Sequence, residues 1–220
     1  MRYSRKWSIT ENNLVMIKSE RIGVNDVLSS TEQMRKISSM IISGEIFIYP
    51  TETIYGVGGI FGNSKVYDRI INAKRRIPDN PMILIASKRE LFKCLDIEFP
   101  DAAEKLAEKF WPGLLTIIVP SASDQRGIGI RVSDHPFITE LFKFIDKPVY
   151  STSANLSSEP YNPDPSVIYS IFCESTSFMI DAGFLPPSAP STIVKVTSEN
   201  EVLMIREGTI KKEVIHELFR

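Results

Sequence analysis

The stretch IFIYPTETIYGVGG, Ile46–Gly59, sets an apolar run against a proline, then two threonines around a glutamate, then three glycines within four residues. Ile46–Tyr49 reads as a buried strand, and Pro50, which has no N–H to give a ladder, should end it. Short hydroxyls, a carboxylate and bare backbone thus collect at a strand end. The glycines alone read as turn formers. Two phosphate-loop motifs fail on them. No GxxxxGK[ST] occurs, and Phe61 stands where a GxGxxG fingerprint needs a small residue.

Outward from that stretch, helices and strands are interspersed. SSTEQMRKISSMIISG (29–44) predicts a helix with Ser30 and Gln33 as capping box, Met34, Ile37 and Ile41 on one face, and Gly44 at its close. NSKVYDRIINAKRR (63–76) predicts a second, with Ser64 as N-cap and Val66, Ile70 and Ile71 inward. Capping boxes at Ser87…Glu90 and Asp101…Glu104 open two more. PMILIA (81–86), LLTIIV (114–119), GIGIRV (127–132), PVYST (148–152), FMIDAG (178–183), STIVKV (191–196) and VLMIRE (202–207) read as strands. FWPG (110–113) reads as a tight turn, and Arg131 alternates to the face opposite Ile130. Only TSENE separates the last two strands, which makes them a hairpin. A short helix, DPSVIYSIF (164–172), and a C-terminal one carrying Val214, Ile215, Leu218 and Phe219 complete the pattern. The expectation is one α/β domain over 14–220, a mixed, twisted, open sheet flanked by helices, behind a polar, loosely held segment 1–13.

Composition narrows the function classes. The chain has 220 residues, 43% hydrophobic and 24% charged, with a formal net charge of −1. No global field draws nucleic acid or membrane, so a polyanion site must be a local cluster. Cys94 and Cys173 lack CxxC spacing and read as two buried free thiols, without disulfide or zinc. No apolar run reaches the ~20 residues that span a bilayer. MRYSRKWSITENN has no apolar core of a signal peptide. A soluble cytoplasmic protein with no membrane partner is expected.

Candidate chemistry gathers at element junctions. Lys74, Arg75 and Arg76 end a helix, which fits a solvated helix end or an anion site equally. STSAN (151–155) puts hydroxyls and an amide beyond a strand, and PST (190–192) repeats the theme opposite Arg206. No Ser/His/Asp triad assembles: His135 precedes Pro136 and His216 lies on the last helix, so both read as structural or exposed.

The ordered set YPTETIYGVGG, AKRRIPDNPMILI, FWPGLLTIIV, IGIRVSDHP, STSANLS and PSTIVKV…MIREGTI resembles the YrdC-like threonylcarbamoyl-AMP synthase family over about residues 20–212. The resemblance implies a sheet twisted around a deep, positively charged cavity. It implies formation of L-threonylcarbamoyl-AMP and pyrophosphate from L-threonine, bicarbonate and ATP, a nucleotidyl transfer that begins t6A modification of tRNA. By motif, Thr53, Ser151 and Ser191 contact threonine, and Arg131 faces its carboxylate or carbamate. Arg76, Asn80, Thr116, Ser153 and Arg206 hold ATP, and Lys74 and Arg76 act at the phosphates. Mg2+ comes with ATP and there is no protein-bound metal site. tRNA and a downstream threonylcarbamoyl transferase are the implied partners. The chain departs from the family pattern at Ile85, where many members carry a histidine that contacts threonine, at Ile77 for a proline, and at Tyr161 for a serine. The single-domain form is expected, since the chain ends about where the catalytic domain does. The alternative is an RNA- or nucleotide-binding paralogue of the same fold without the activity. RNA recognition usually adds exposed aromatics and a wider basic surface, whereas here the cations concentrate at 74–76, which favours the enzyme.

Overall fold

The computed structural model describes residues 7–10, 13–16, 19–75 and 82–220, the first two stretches by backbone alone. β1 (Trp7–Thr10) and β2 (Asn13–Met16) form an antiparallel ribbon of their own. The rest of the expected loose segment 1–13 lies outside the described residues. β3 (Glu20–Gly23), α1 (Val24–Leu28), α2 (Thr31–Ile42), β4 (Phe47–Tyr49), β5 (Gly56–Ile60), α3 (Ser64–Ala73) and β6 (Ile83–Ala86) follow. A 3-10 helix (Arg89–Cys94) leads to α4 (Asp101–Phe110), β7 (Leu115–Val119), β8 (Ile128–Val132), α5 (Pro136–Leu141) and β9 (Val149–Ser153). α6 (Pro165–Phe172), β10 (Phe178–Asp181), β11 (Thr192–Val196), β12 (Val202–Arg206) and α7 (Lys212–Glu217) complete the chain.

Among the described residues ten strands form one open mixed sheet in the order β12-β11-β7-β8-β6-β9-β5-β4-β10-β3. Its pairings are parallel at β3/β10, β10/β4, β6/β8 and β7/β11 and antiparallel elsewhere. Two apolar clusters fill the two ends. One joins β4, β5 and β10 to α2, α3, α5 and α6. The other joins β7, β8 and β11 to α4, α7 and the 3-10 helix. Phe47 and Phe178 stack across β4/β10 with centroids 5.3 Å apart, a pair worth about 0.5–1.5 kcal/mol beyond its buried area. Among the described residues no helix is long and apolar enough to cross a membrane.

The strand pattern follows the apolar runs, and β4 stops at Tyr49, before Pro50. Several local expectations are corrected. The glycines of GVGG are no turn but part of β5, paired on both sides inside the sheet. They are small because their neighbours leave no room. A Cβ on Gly58 would lie 2.6 Å from Tyr150 O and 2.8 Å from the Tyr49 ring, and one on Gly59 2.4 Å from Val66 Cγ1. Ser30 caps α2 as expected, accepting from Gln33 N, but Asn63 rather than Ser64 caps α3, accepting from Lys65 N. The stretch opened by Ser87 is a 3-10 turn without a side-chain cap, and Pro100, which offers no capping oxygen, precedes α4. The thiols are free as expected but not both buried: Cys94 is exposed and Cys173 half-buried. In FWPG the Trp111–Pro112 peptide is cis.

Gly58→Ala should therefore cost about 1–3 kcal/mol, since the Cβ meets backbone that cannot give way. Urea unfolding would measure it, and a variant within 0.5 kcal/mol of wild type, as a rough error bound for surface changes, would contradict the packing described.

Candidate active site

The turn joining β4 to β5 is organised by its own side chains. Thr51 Oγ1 accepts from Thr53 N at 3.2 Å and Ile54 N at 3.3 Å and donates to Ile54 O at 2.7 Å. This turn projects Thr53 and Glu52 in different directions. Glu52 accepts from Arg131 Nη2 at 2.6 Å, Ser133 Oγ at 2.7 Å, Asp134 N at 2.9 Å and His135 N at 3.2 Å. Arg131, 3% exposed on β8, also donates from Nε to Gly113 O at 2.8 Å and has Nη1 3.4 Å from Thr53 Oγ1. A guanidinium carries five N–H groups, so two of Arg131's remain without a partner among the described residues.

Burial pushes the Glu52 carboxyl up, but Arg131, Ser133 and the backbone amides outweigh it and hold its pKa below the usual glutamate range. Burial lowers the Arg131 pKa against the pull of Glu52, though an arginine stays protonated throughout. Burial and, secondarily, Glu52 raise Asp134. Burial lowers His135, whose Nδ1 accepts from Phe137 N and caps α5, a structural role as expected.

Strand ends and the end of α3 converge on a cavity of about 540 Å3, within the roughly 300–1,000 Å3 of small-molecule sites. Its described lining holds four cations, Lys74, Arg75, Arg131 and Arg206, and no carboxylate. Lys74, 2% exposed, donates from Nζ to Ser153 O and, at 2.8 Å, to Asn155 O, while its own carbonyl accepts from Ser157 N. It therefore ties the helix end to the STSAN loop from both sides. Arg75 follows with φ 50°, a left-handed conformation that costs a side-chain residue about 1–2 kcal/mol.

On the other rim, Thr116 Oγ1 and Ser191 Oγ lie 3.0 Å apart, and Arg206 donates to Ser191 O from Nε at 3.2 Å and Nη2 at 2.7 Å. A bulge in β12 accounts for that arginine's direction. Met204 opposes Val194, yet Arg206 opposes Ile193, so Ile205 is an extra residue. Plain alternation would have turned Arg206 to the face of Met204, and the bulge returns it to the cavity. Burial, with Arg131 nearby, lowers its pKa. Below, Tyr49 donates to Ser151 Oγ at 2.6 Å, and burial raises the phenol's pKa so that it stays a donor.

Of the residues singled out in the sequence, Thr53, Lys74, Arg131, Ser151, Ser153, Ser191 and Arg206 all line the cavity. Thr116 stands one step behind, against Ser191. Arg76 and Asn80, with Ile77, lie outside the described residues. Ile85 shares the face of Arg131 through their pairing but is 1% exposed, packed in the apolar cluster behind. Tyr161 accepts from Tyr55 N at 3.0 Å and so braces the β4–β5 turn. Arg75 and Asn155, which the sequence offered only as part of a possible anion site and a polar loop, also line the cavity, whereas sequence reasoning gave Glu52 no partner or role of its own. An arginine inside an apolar strand signals that some partner is buried with it, but does not say which residue supplies it. Asn155 donates both amide protons, to Leu156 O at 3.0 Å and Glu159 O at 2.6 Å, and its buried Oδ1 has no partner among the described residues. Nothing in SAN pointed to that.

A mixed sheet whose strand ends gather cations and hydroxyls around one cavity offers the donors that a small anionic ligand would take. The Sua5/YciO/YrdC family model, described as telomere recombination, matches residues 39–208, and the chain belongs to that family. A threonylcarbamoyl-AMP synthase of Pyrococcus abyssi is 29% identical over 194 residues, covering 84% of this chain and 57% of that protein. One of Bacillus subtilis is 29% identical over 204 residues, covering 88% and 59%. The crystal structure of P. abyssi Sua5 complexed with L-threonine superimposes with a TM-score of 0.78 at 26% identity, over 90% of this chain and 60% of that one. The chain thus spans under two thirds of the length of these relatives.

Because the folded pKa of Glu52 lies below its unfolded value, its contribution to stability is full above the ordinary glutamate range and is lost as pH falls through the folded value. Glu52→Gln is expected to cost about 3 kcal/mol at neutral pH. The difference from wild type in urea unfolding should close below about pH 4. A difference that stays constant from neutral pH to about pH 3 would contradict an ionised, paired Glu52.

Proposed function

We propose that this protein forms L-threonylcarbamoyl-AMP and pyrophosphate from L-threonine, bicarbonate and ATP, a nucleotidyl transfer. The observation that carries the reading is the described cavity lining, four cations and no carboxylate, ringed by Thr53, Ser151, Ser153 and Ser191. Family membership and relatives named as this synthase support it. Threonine is the amino acid bound in the similar Sua5 structure.

The chemistry asks for such a lining. The threonine nitrogen takes up the carbon of bicarbonate with loss of water, giving a carbamate. A carbamate oxygen then bonds to the α-phosphorus as the bond to the β-phosphate oxygen breaks and pyrophosphate leaves. Both reactants are anions and repel, so catalysis is positioning plus charge stabilisation, and positioning alone can supply about 7–11 kcal/mol. On this reading Arg131 takes the carboxylate or carbamate, beside Thr53, Ser151 and Ser191. Arg206, Ser153 and Thr116, with Arg76 and Asn80, serve the nucleotide, and Lys74 and Arg76 the phosphates. Mg2+ would come with ATP and would screen the charge of its phosphates. The lining offers hydroxyls, amides and cations, a donor set suited to the phosphates rather than to the ion. The product would pass to a threonylcarbamoyl transferase acting on tRNA, which makes the cytoplasm the compartment this function requires.

Pyrophosphate release from ATP should need L-threonine and bicarbonate together. ATP binding with no release when both are supplied would favour a nucleotide- or RNA-binding paralogue instead. Arg206→Ala should lower turnover on the order of 10²-fold with little loss of stability, whereas a solvated strand-end arginine would shift stability by roughly 0.5 kcal/mol and leave turnover intact.

A further inference from the structure

Glu52 is the best-bonded carboxylate beside the cavity, yet it is not among the residues that line it. Its four bonds divide in two. Three go to the 133–135 segment and hold a loop; the fourth goes to Arg131. Glu52 on one side and Gly113 O on another fix the guanidinium plane, and two N–H groups remain without a partner among the described residues. An arginine with a bare pair of N–H groups in a cavity is preorganised for a planar carboxylate-like anion. Free to turn, the same side chain would surrender that preorganisation on every binding event.

We propose that Glu52 is a positioning residue of the site: it holds the Arg131 fork at the angle that receives the carboxylate or carbamate of the amino-acid substrate. It never touches that substrate. This inference rests on the synthase reading for the identity of the ligand, but not for the geometry. Glu52 also offsets the Arg131 charge, so Arg131 contributes directed hydrogen bonds more than net field. Among the described residues, the attraction for phosphates is left to Lys74, Arg75 and Arg206. Losing Glu52 should therefore harm the two substrates unequally.

The test is a mutant cycle of Glu52→Gln and Arg131→Lys, each titrated with L-threonine and with a non-hydrolysable ATP analogue. Glutamine keeps an acceptor oxygen for the 133–135 segment but sets an amide donor against Arg131. Threonine affinity should fall about tenfold, with the ATP analogue within about twofold, and the double variant should bind threonine no worse than Arg131→Lys alone. Equal losses for both ligands, or additive losses in the double variant, would reduce Glu52 to a structural residue. Ser133→Ala, which weakens only the loop, should leave both affinities within about twofold. The side-chain Nη2–H NMR signal of Arg131, the proton that Glu52 accepts, provides a readout without ligand. It should exchange slowly in wild type and Ser133→Ala and quickly in Glu52→Gln, and persistence in Glu52→Gln overturns the inference even if threonine proves not to be the substrate. Should Glu52→Gln fail to fold, Glu52→Asp keeps the charge but falls a methylene short. It should then show intermediate threonine affinity and exchange, and wild-type values in both would overturn the inference.

Discussion

The contact between Arg131 and Glu52, 2.6 Å long and nearly closed to solvent, joins the β4–β5 turn to the middle of the sheet. Either charge alone would be costly there, and removing one partner of such a pair typically costs about 3–5 kcal/mol. Placed together they close a ring of bonds that includes Gly113 and the 133–135 segment. Three pieces of chain far apart in sequence thus meet at one wall of the cavity. The opening stretch of sequence finds its explanation there: Thr51 shapes the turn, Glu52 anchors it, and Thr53 faces the cavity.

A second constraint is steric. Tyr49 lies over β5, and the absence of side chains at Gly56 and Gly58 gives its ring a place, with a Cβ on either falling within 3.3 Å of it. The same ring carries the hydroxyl that orients Ser151. Gly56, itself in the cavity lining, and Gly58 therefore decide where a site hydroxyl points. Across the cavity the β12 bulge does the comparable task for Arg206, whose bonds to Ser191 in turn fix the Ser191–Thr116 pair.

Much of this was legible in the sequence, for physical reasons that also mark where reading stops. Apolar runs such as LLTIIV and FMID are buried strands in any context that covers them, and β7 and β10 follow. The hydroxyls of STSAN, expected just beyond a strand, are instead the last residues of β9 itself, still at the sheet end where the cavity is. GVGG read as a turn because glycine's conformational freedom is visible in sequence, whereas the Tyr49 and Val66 side chains that demand its smallness come from other elements. The Glu52–Arg131 pair spans 79 positions, and local periodicity cannot find a partner so distant. The bulge is likewise a property of two strands together. The capping errors are of another kind: at Ser64 the geometry of entry selects the preceding Asn63, and at Ser87 a 3-10 turn starts after Lys88 with no side-chain cap at all.

The central claim is that one cavity holds an amino-acid carbamate against the α-phosphate of ATP. The most direct measurement supplies carbon-13 bicarbonate, L-threonine and ATP to the purified protein and follows carbon and phosphorus NMR together. The account predicts a labelled carbon, derived from bicarbonate, that couples to the phosphorus of an adenylate. Conversion of ATP without any labelled carbon bonded through oxygen to that phosphorus would contradict it.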